Sequence, residues 1–269
     1  LHILYDDIVK LSLPKKAASN EKISFKDNIV LDDIYYNYPN SIKKTLNNIN
    51  ISIPAKTTVG LVGVTGSGKT TVVDLILGLL KPHGGSLKVD GKIIEQKNIR
   101  SWQKLVGYVP QQIFLTDDSV EANIAFGVDP SDLDQAALER AAMISNINDF
   151  ILNELPLGYK TIIGERGIRL SGGQRQRIGI ARALYHNPQV LVFDEATSAL
   201  DNLTEKAIMD SVQNLTKKIT IIIVAHRLTT VKMCEKIYHL ENGTVISKGS
   251  YEELIKQDAK FKRMSQYQS

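Results

Sequence analysis

Residues 58–70 read Thr-Val-Gly-Leu-Val-Gly-Val-Thr-Gly-Ser-Gly-Lys-Thr. Thr58 to Val62 is a short apolar run suited to a buried strand, and Thr70 to Leu80 predicts a helix that stops at Lys81-Pro82-His83-Gly84-Gly85. Between them lies Gly-x-x-x-x-Gly-Lys-Thr, a pattern that wraps phosphates with backbone N–H groups. Gly63, Gly66 and Gly68 permit the backbone angles and the close approach such a loop needs. Lys69 is the candidate for the terminal phosphates and Thr70 for a magnesium ion; Thr65, Ser67 and Thr71 complete the candidate triphosphate-binding set. The helix start adds its dipole. A strand before the loop and a helix after it disfavour the plainer reading, a glycine-rich turn.

Outward from this loop, strands are predicted at 29–36, 46–53, 189–193, 219–224, 236–240 and 244–248, with a turn at Pro39-Asn40-Ser41 and a strand-and-turn unit over 86–109. Residues 119–186 are mainly helical: Leu133 to Ile144, Ile147 to Leu155 and Gly173 to Tyr185. Further helices are predicted at 202–216 and 250–265. Strand–helix alternation implies an α/β fold with a largely parallel sheet and helices on its faces. The helical block, about residues 115–185, implies a second lobe.

Residues 190–195, Val-Leu-Val-Phe-Asp-Glu, are an apolar strand that ends in two carboxylates. Asp194 suits magnesium and Glu195 suits a general base for water. Alone the pair is weak, because acidic residues close many strands as helix caps. Upstream stands Leu170-Ser171-Gly172-Gly173-Gln174. Beside these, the chain resembles the nucleotide-binding domain of ATP-binding-cassette transporters over roughly residues 28–265.

That resemblance implies a P-loop NTPase core with a mainly parallel sheet, an antiparallel β subdomain and an inserted helical subdomain. It assigns Gln111, in Val109-Pro110-Gln111-Gln112, to a magnesium-contacting glutamine loop, and His226, in Val224-Ala225-His226-Arg227, to a switch histidine on the γ-phosphate. Glu195, His226 and Gln111 form the implied catalytic set; Thr70, Gln111 and Asp194 form the metal set. Asp201, in Ser198-Ala199-Leu200-Asp201, matches a loop at a dimer interface. Tyr38, just before Pro39, matches the aromatic that stacks on adenine, with Tyr35 and Tyr36 as nearby alternatives. Ser171, Gly172, Gly173 and Gln174 would meet the γ-phosphate held by a partner's phosphate loop, so the implied partners are a second nucleotide-binding domain, as a homodimer, and a membrane domain. ATP and Mg2+ are the implied cofactors. Thr161 to Gly167, Val120 to Ile124 and Leu155 to Tyr159 resemble exporter segments, and Lys56 stands where the family usually has glycine.

The rest of the sequence bounds these readings. With 33 basic and 29 acidic residues, the net charge of +4 gives no basic stripe for nucleic acid. Cys234 is a single cysteine without metal-ligand spacing, which reads as a buried thiol. No apolar run reaches the roughly 18–20 residues of a membrane helix. Leu1 to Val9 has the apolar spacing of a short helix, and Pro14 to Lys22 is polar and aperiodic, as in a tether. Residues 1–27 are therefore read as a link from a preceding membrane domain and 28–269 as the nucleotide-binding domain, placed at the cytoplasmic face of a membrane. Two rivals stand beside the exporter: an importer-type cassette subunit, and a cassette acting on nucleic acid. The loop at 161–167 disfavours the first, and the absence of a coiled-coil insertion or a second cassette disfavours the second.

Overall fold

The computed structural model describes residues 21–39, 44–164, 170–195, 210, 218–225 and 228–267. Among the described residues the chain forms two sheets. The larger has strand order β10-β9-β3-β8-β7-β6, where β3 is Thr58–Val62, β6 Val106–Val109, β7 Val190–Asp194, β8 Thr220–Val224, β9 Lys236–Glu241 and β10 Thr244–Gly249. Its pairings are parallel except β9 with β10. The smaller sheet is antiparallel, in the order β2-β1-β4-β5: β1 Asn28–Tyr36, β2 Leu46–Pro54, β4 Gly84–Val89 and β5 Lys92–Ile93.

Every residue of β3, β7 and β8 is buried, as expected of central parallel strands covered on both faces. Side chains alternate along a strand, so each strand serves two cores. Leu191, Phe193, Ile221 and Ile223 join the core shared with the helical lobe. Val190, Val192, Ile222 and Val224 face the other core, against the antiparallel sheet.

The helices are α1 Lys69–Ile76, α2 Ile99–Gln103, α3 Val120–Ile124, α4 Gln135–Ile144, α5 Asn148–Glu154, α6 Gly172–Tyr185, α7 Leu228–Val231, α8 Tyr251–Gln257 and α9 Ala259–Tyr267. Four expectations change. The helix predicted to reach Leu80 stops at Ile76, because Gly78 turns left-handed (φ 67°) against Ile99. The 86–109 unit is split: β4 and β5 join the antiparallel sheet, α2 intervenes, and β6 joins the parallel one. The helix over 250–265 breaks at Asp258, which leaves the helical region (φ −113°, ψ 100°). Its Oδ1 accepts from the amides of Lys260 and Phe261, and its Oδ2 from Ser247 and from His239 Nδ1 at 2.6 Å; these bonds hold its carboxyl at about 2, outweighing the burial that opposes them. Finally, of the segment read as a link, Ile23 and Phe25 are buried, and Phe25 meets Trp102 edge-on at 6.2 Å. The Ile23 amide donates to Ser101 Oγ at 2.8 Å and the Lys26 amide to Asp90 Oδ2 at 2.7 Å, so apolar burial and backbone hydrogen bonds together hold this stretch on the body.

Lys56 lies in the turn before β3 with φ 58°. That left-handed geometry suits glycine and is unfavourable for a lysine by about 1–2 kcal/mol. The Lys56 amide donates to Thr220 Oγ1 at 2.7 Å, which anchors the turn despite the strain. Cys234 is buried, its thiol pushed up by burial. The helix expected at 202–216 lies outside the described residues, apart from Asp210.

Candidate nucleotide site

Parallel strands present their C-terminal ends on one edge of the sheet, where α/β proteins bind ligands. The loop 63–68 follows β3, Gln111 follows β6, Asp194 ends β7 and Glu195 follows it. Topology therefore gathers residues as distant in sequence as Lys69 and Glu195.

The loop is braced from outside. Gly63 sits at φ 152°, and a Cβ there would lie 2.2 Å from the Leu240 carbonyl oxygen. The Gly243 amide, in the β9–β10 turn, donates to the Ser67 carbonyl at 3.1 Å. Thr65 and Gly66 are exposed at the tip, while Ser67 and Lys69 are buried. Lys69 Nζ donates to the carbonyls of Gly63 at 2.9 Å and Val64 at 3.2 Å. Burial pushes the Lys69 ammonium down, and the charges of Glu195 and Asp194 oppose that shift. Gly68 caps α1 at φ 103° with no side-chain cap, so the first amides of the helix lack a side-chain acceptor. Among the described residues Ser67 Oγ is buried without a hydrogen-bond partner. A cation, uncapped amides and an orphaned hydroxyl on one loop fit a polyphosphate.

Thr70 is exposed at the head of α1 and Thr71 buried behind it. Gln111 Nε2 donates to Glu195 Oε2 at 2.7 Å, which brings the two together. Glu195 itself has φ 53°, a strained conformation for a non-glycine residue. Asp194 is buried, and burial raises its carboxyl while a hydrogen bond from Tyr108 opposes the shift. Tyr108 Oη donates to Asp194 Oδ2 at 3.2 Å; burial first, then the Asp194 charge, raise its phenol. Sequence reasoning missed Tyr108, because a tyrosine in an apolar strand carries no motif. Asp194, Thr70 and Gln111 are oxygen donors, a set that fits Mg2+.

The three tyrosines separate by environment. Tyr36 is buried at 8% exposure. Tyr35 is exposed but lies against Gly84 in the antiparallel sheet. Tyr38 is 41% exposed, and its hydroxyl is 3.3 Å from Thr71 Oγ1 on the phosphate-loop helix. Its ring stands edge-on to Tyr36 at 5.1 Å.

The signature opens α6. Ser171 is its N-cap: Ser171 Oγ accepts from the Gln174 amide at 3.2 Å, and the Ser171 amide donates to Gln174 Oε1 at 2.8 Å. This capping box leaves the Gly172 and Gly173 amides outside its two bonds. Ser171 is exposed. The same helix holds the outer half of the glutamine loop. Gly179 lets Ile113 approach so closely that a Cβ would meet it at 2.3 Å. Arg182 donates to the carbonyls of Phe114 at 2.8 Å and Asn123 at 2.7 Å, and its guanidinium lies 4.9 Å from the Phe126 ring centre. His226, Asp201, Ser198 to Leu200, and Glu165 to Gly167 lie outside the described residues.

A family model described as "ABC transporter" matches residues 46–198, more than half of the chain. The chain belongs to the ABC transporter family. Within it, this is an ATPase domain with the family's P-loop fold. The heterocyst differentiation ATP-binding protein HepA of Nostoc sp. is 39% identical over 94% of this chain and 42% of its own length. An ATP-dependent lipid A-core flippase of Saccharophagus degradans is 40% identical over 93% of the chain and 42% of its own length. A bacterial Atm1-family ABC exporter with ATP bound superposes with TM-score 0.89 at 32% identity, covering 99% of this chain and 47% of that one. The chain thus spans less than half the length of these relatives. Among the described residues no helix is long and apolar enough to cross a membrane.

Proposed function

We propose that this domain hydrolyses Mg-ATP to drive an exporter, with each nucleotide enclosed between two copies. The reading rests chiefly on Ser171 being exposed at a helix start whose Gly172 and Gly173 amides are not used by its own cap. Such amides suit the γ-phosphate of a nucleotide held by another chain's phosphate loop. Because one chain carries both halves, a symmetric dimer has two complete sites.

The residue roles follow from chemistry. Lys69, the loop amides and Ser67 hold the phosphates; Tyr38 stacks on adenine beside Thr71. Thr70, Gln111 and Asp194 hold Mg2+, which supplies charge neutralisation on the phosphates. Glu195 accepts a proton from water, and the hydrogen bond it takes from Gln111 orients it. His226 contacts the γ-phosphate and Asp201 crosses the dimer interface. The relatives named as a flippase and an exporter favour outward transport over import. Residues 1–27 then link the domain to a membrane domain in the same full-length chain, and the domain works at the cytoplasmic face of that membrane, as a homodimer and without nucleic acid.

Mixing two dead variants tests the shared site. Ser171→Arg obstructs the signature and Lys69→Ala disables the phosphate loop. In a mixed dimer both defects fall on one site and leave the other intact. Return of hydrolysis on mixing is the expected result. A Ser171→Arg chain that cannot bind ATP as a monomer sinks the reading.

A further inference from the structure

Tyr108 makes a polar contact in this site that none of the assigned roles uses. It lies on β6, which runs parallel to β7 with Tyr108 paired to Val192. Side chains two residues apart on a strand share a face, so Asp194 is the diagonal neighbour of Tyr108 on that face. A phenol is long enough to span such a diagonal, and Tyr108 Oη reaches Asp194 Oδ2 at 3.2 Å. The carboxylate is buried at the end of a fully buried strand.

A carboxyl group turns on a broad, soft torsion. A ligand for a hard, geometrically demanding cation gains from having that torsion held. We propose that Tyr108 is a positioning residue for Asp194: its hydroxyl occupies Oδ2 and fixes the plane of the carboxylate, which leaves Oδ1 for the metal or its bound water. The inference rests on the assignment of Asp194 to Mg2+ made above. It predicts that Tyr108 controls the magnesium dependence of nucleotide binding and leaves metal-free binding alone, because the phosphates are held by another strand's loop.

The experiment titrates a fluorescent ATP analogue into the parent chain, Tyr108→Phe and Asp194→Asn, first in EDTA and then with increasing Mg2+. Tyr108→Phe removes one oxygen and keeps the ring. The expected result is unchanged affinity in EDTA, with the Mg2+ midpoint raised about threefold to tenfold, the worth of one hydrogen bond. Asp194→Asn moves the midpoint further. Tyr185→Phe alters a hydroxyl that accepts from the Asp134 amide in the helical lobe, and it leaves the midpoint in place. A normal midpoint in Tyr108→Phe alongside a shifted one in Asp194→Asn overturns the proposal and spares the metal assignment. A normal midpoint in Asp194→Asn overturns both. Weakened binding in EDTA with an unmoved midpoint makes the tyrosine merely structural and also overturns it.

Discussion

The helix after the phosphate loop and the helix after the signature begin in contrasting ways. α1 starts at a left-handed glycine with no side-chain cap, and its lysine turns back onto the carbonyls of its own loop. α6 starts at a serine that caps it, with Gln174 closing a reciprocal box. Both are anion-facing helix starts in the proposed cycle. One leaves its first amides without a side-chain cap and the Ser67 hydroxyl without a partner until phosphate arrives; the other satisfies part of its own need and keeps two glycine amides for a partner. The difference suits their tasks. A tight primary site gains from groups that nothing else satisfies. A site that must form and release with each turnover gains from a start that is stable alone.

The contrast breaks most readily at Lys69. Lys69→Ala should weaken ATP binding by about ten- to hundredfold, since a charge-assisted contact is worth roughly 1.5–3 kcal/mol. Ser171→Ala should leave binding to the monomer unchanged in the same fluorescence titration. Equal losses in both would erase the distinction between the two helix starts.

Amide hydrogen exchange sharpens it next. Adding Mg-ATP to the monomer should protect the amides of residues 66–70 at least severalfold and leave those of 172–175 as they were. Protection at both ends below the dimerisation concentration would mean that the signature serves its own chain's nucleotide.

A smaller effect is expected at Gln174. Gln174→Ala opens the capping box and should lower stability without nucleotide by about 0.5–1 kcal/mol in urea unfolding. Nucleotide affinity of the monomer should not move. A destabilisation that added ATP fully reverses would place Gln174 on the wrong side of the comparison.

The smallest concerns the approach to the phosphate loop. Lys56 holds φ 58° two residues before β3. Lys56→Gly should relieve strain and raise stability by up to about 1 kcal/mol, offset partly by glycine's greater freedom when unfolded. ATP affinity should stay constant, because strain in this turn does no work on phosphate. A change in affinity would extend the ligand-dependent region back through β3.

Much of this is legible in the sequence because it is local. The loop of 63–70, the apolar runs of β3, β7 and β8, and the helix opening at the signature each follow from spacing and residue type over a few positions. The sequence by itself determined the family chemistry: a glycine-lined phosphate loop, a strand closed by two carboxylates, and a serine-led helix start. What only the tertiary structure decided is who meets whom. It broke the C-terminal helix at Asp258, because a carboxylate that bonds His239, Ser247 and two amides is worth more than continuing the helix. It drew Ile23 and Phe25 onto the body, set Gln111 against Glu195, and laid Tyr108 beside Asp194. These pairings depend on strand order and register. Both come from burying two faces of one sheet at once, a condition on the whole chain that no short stretch of it contains.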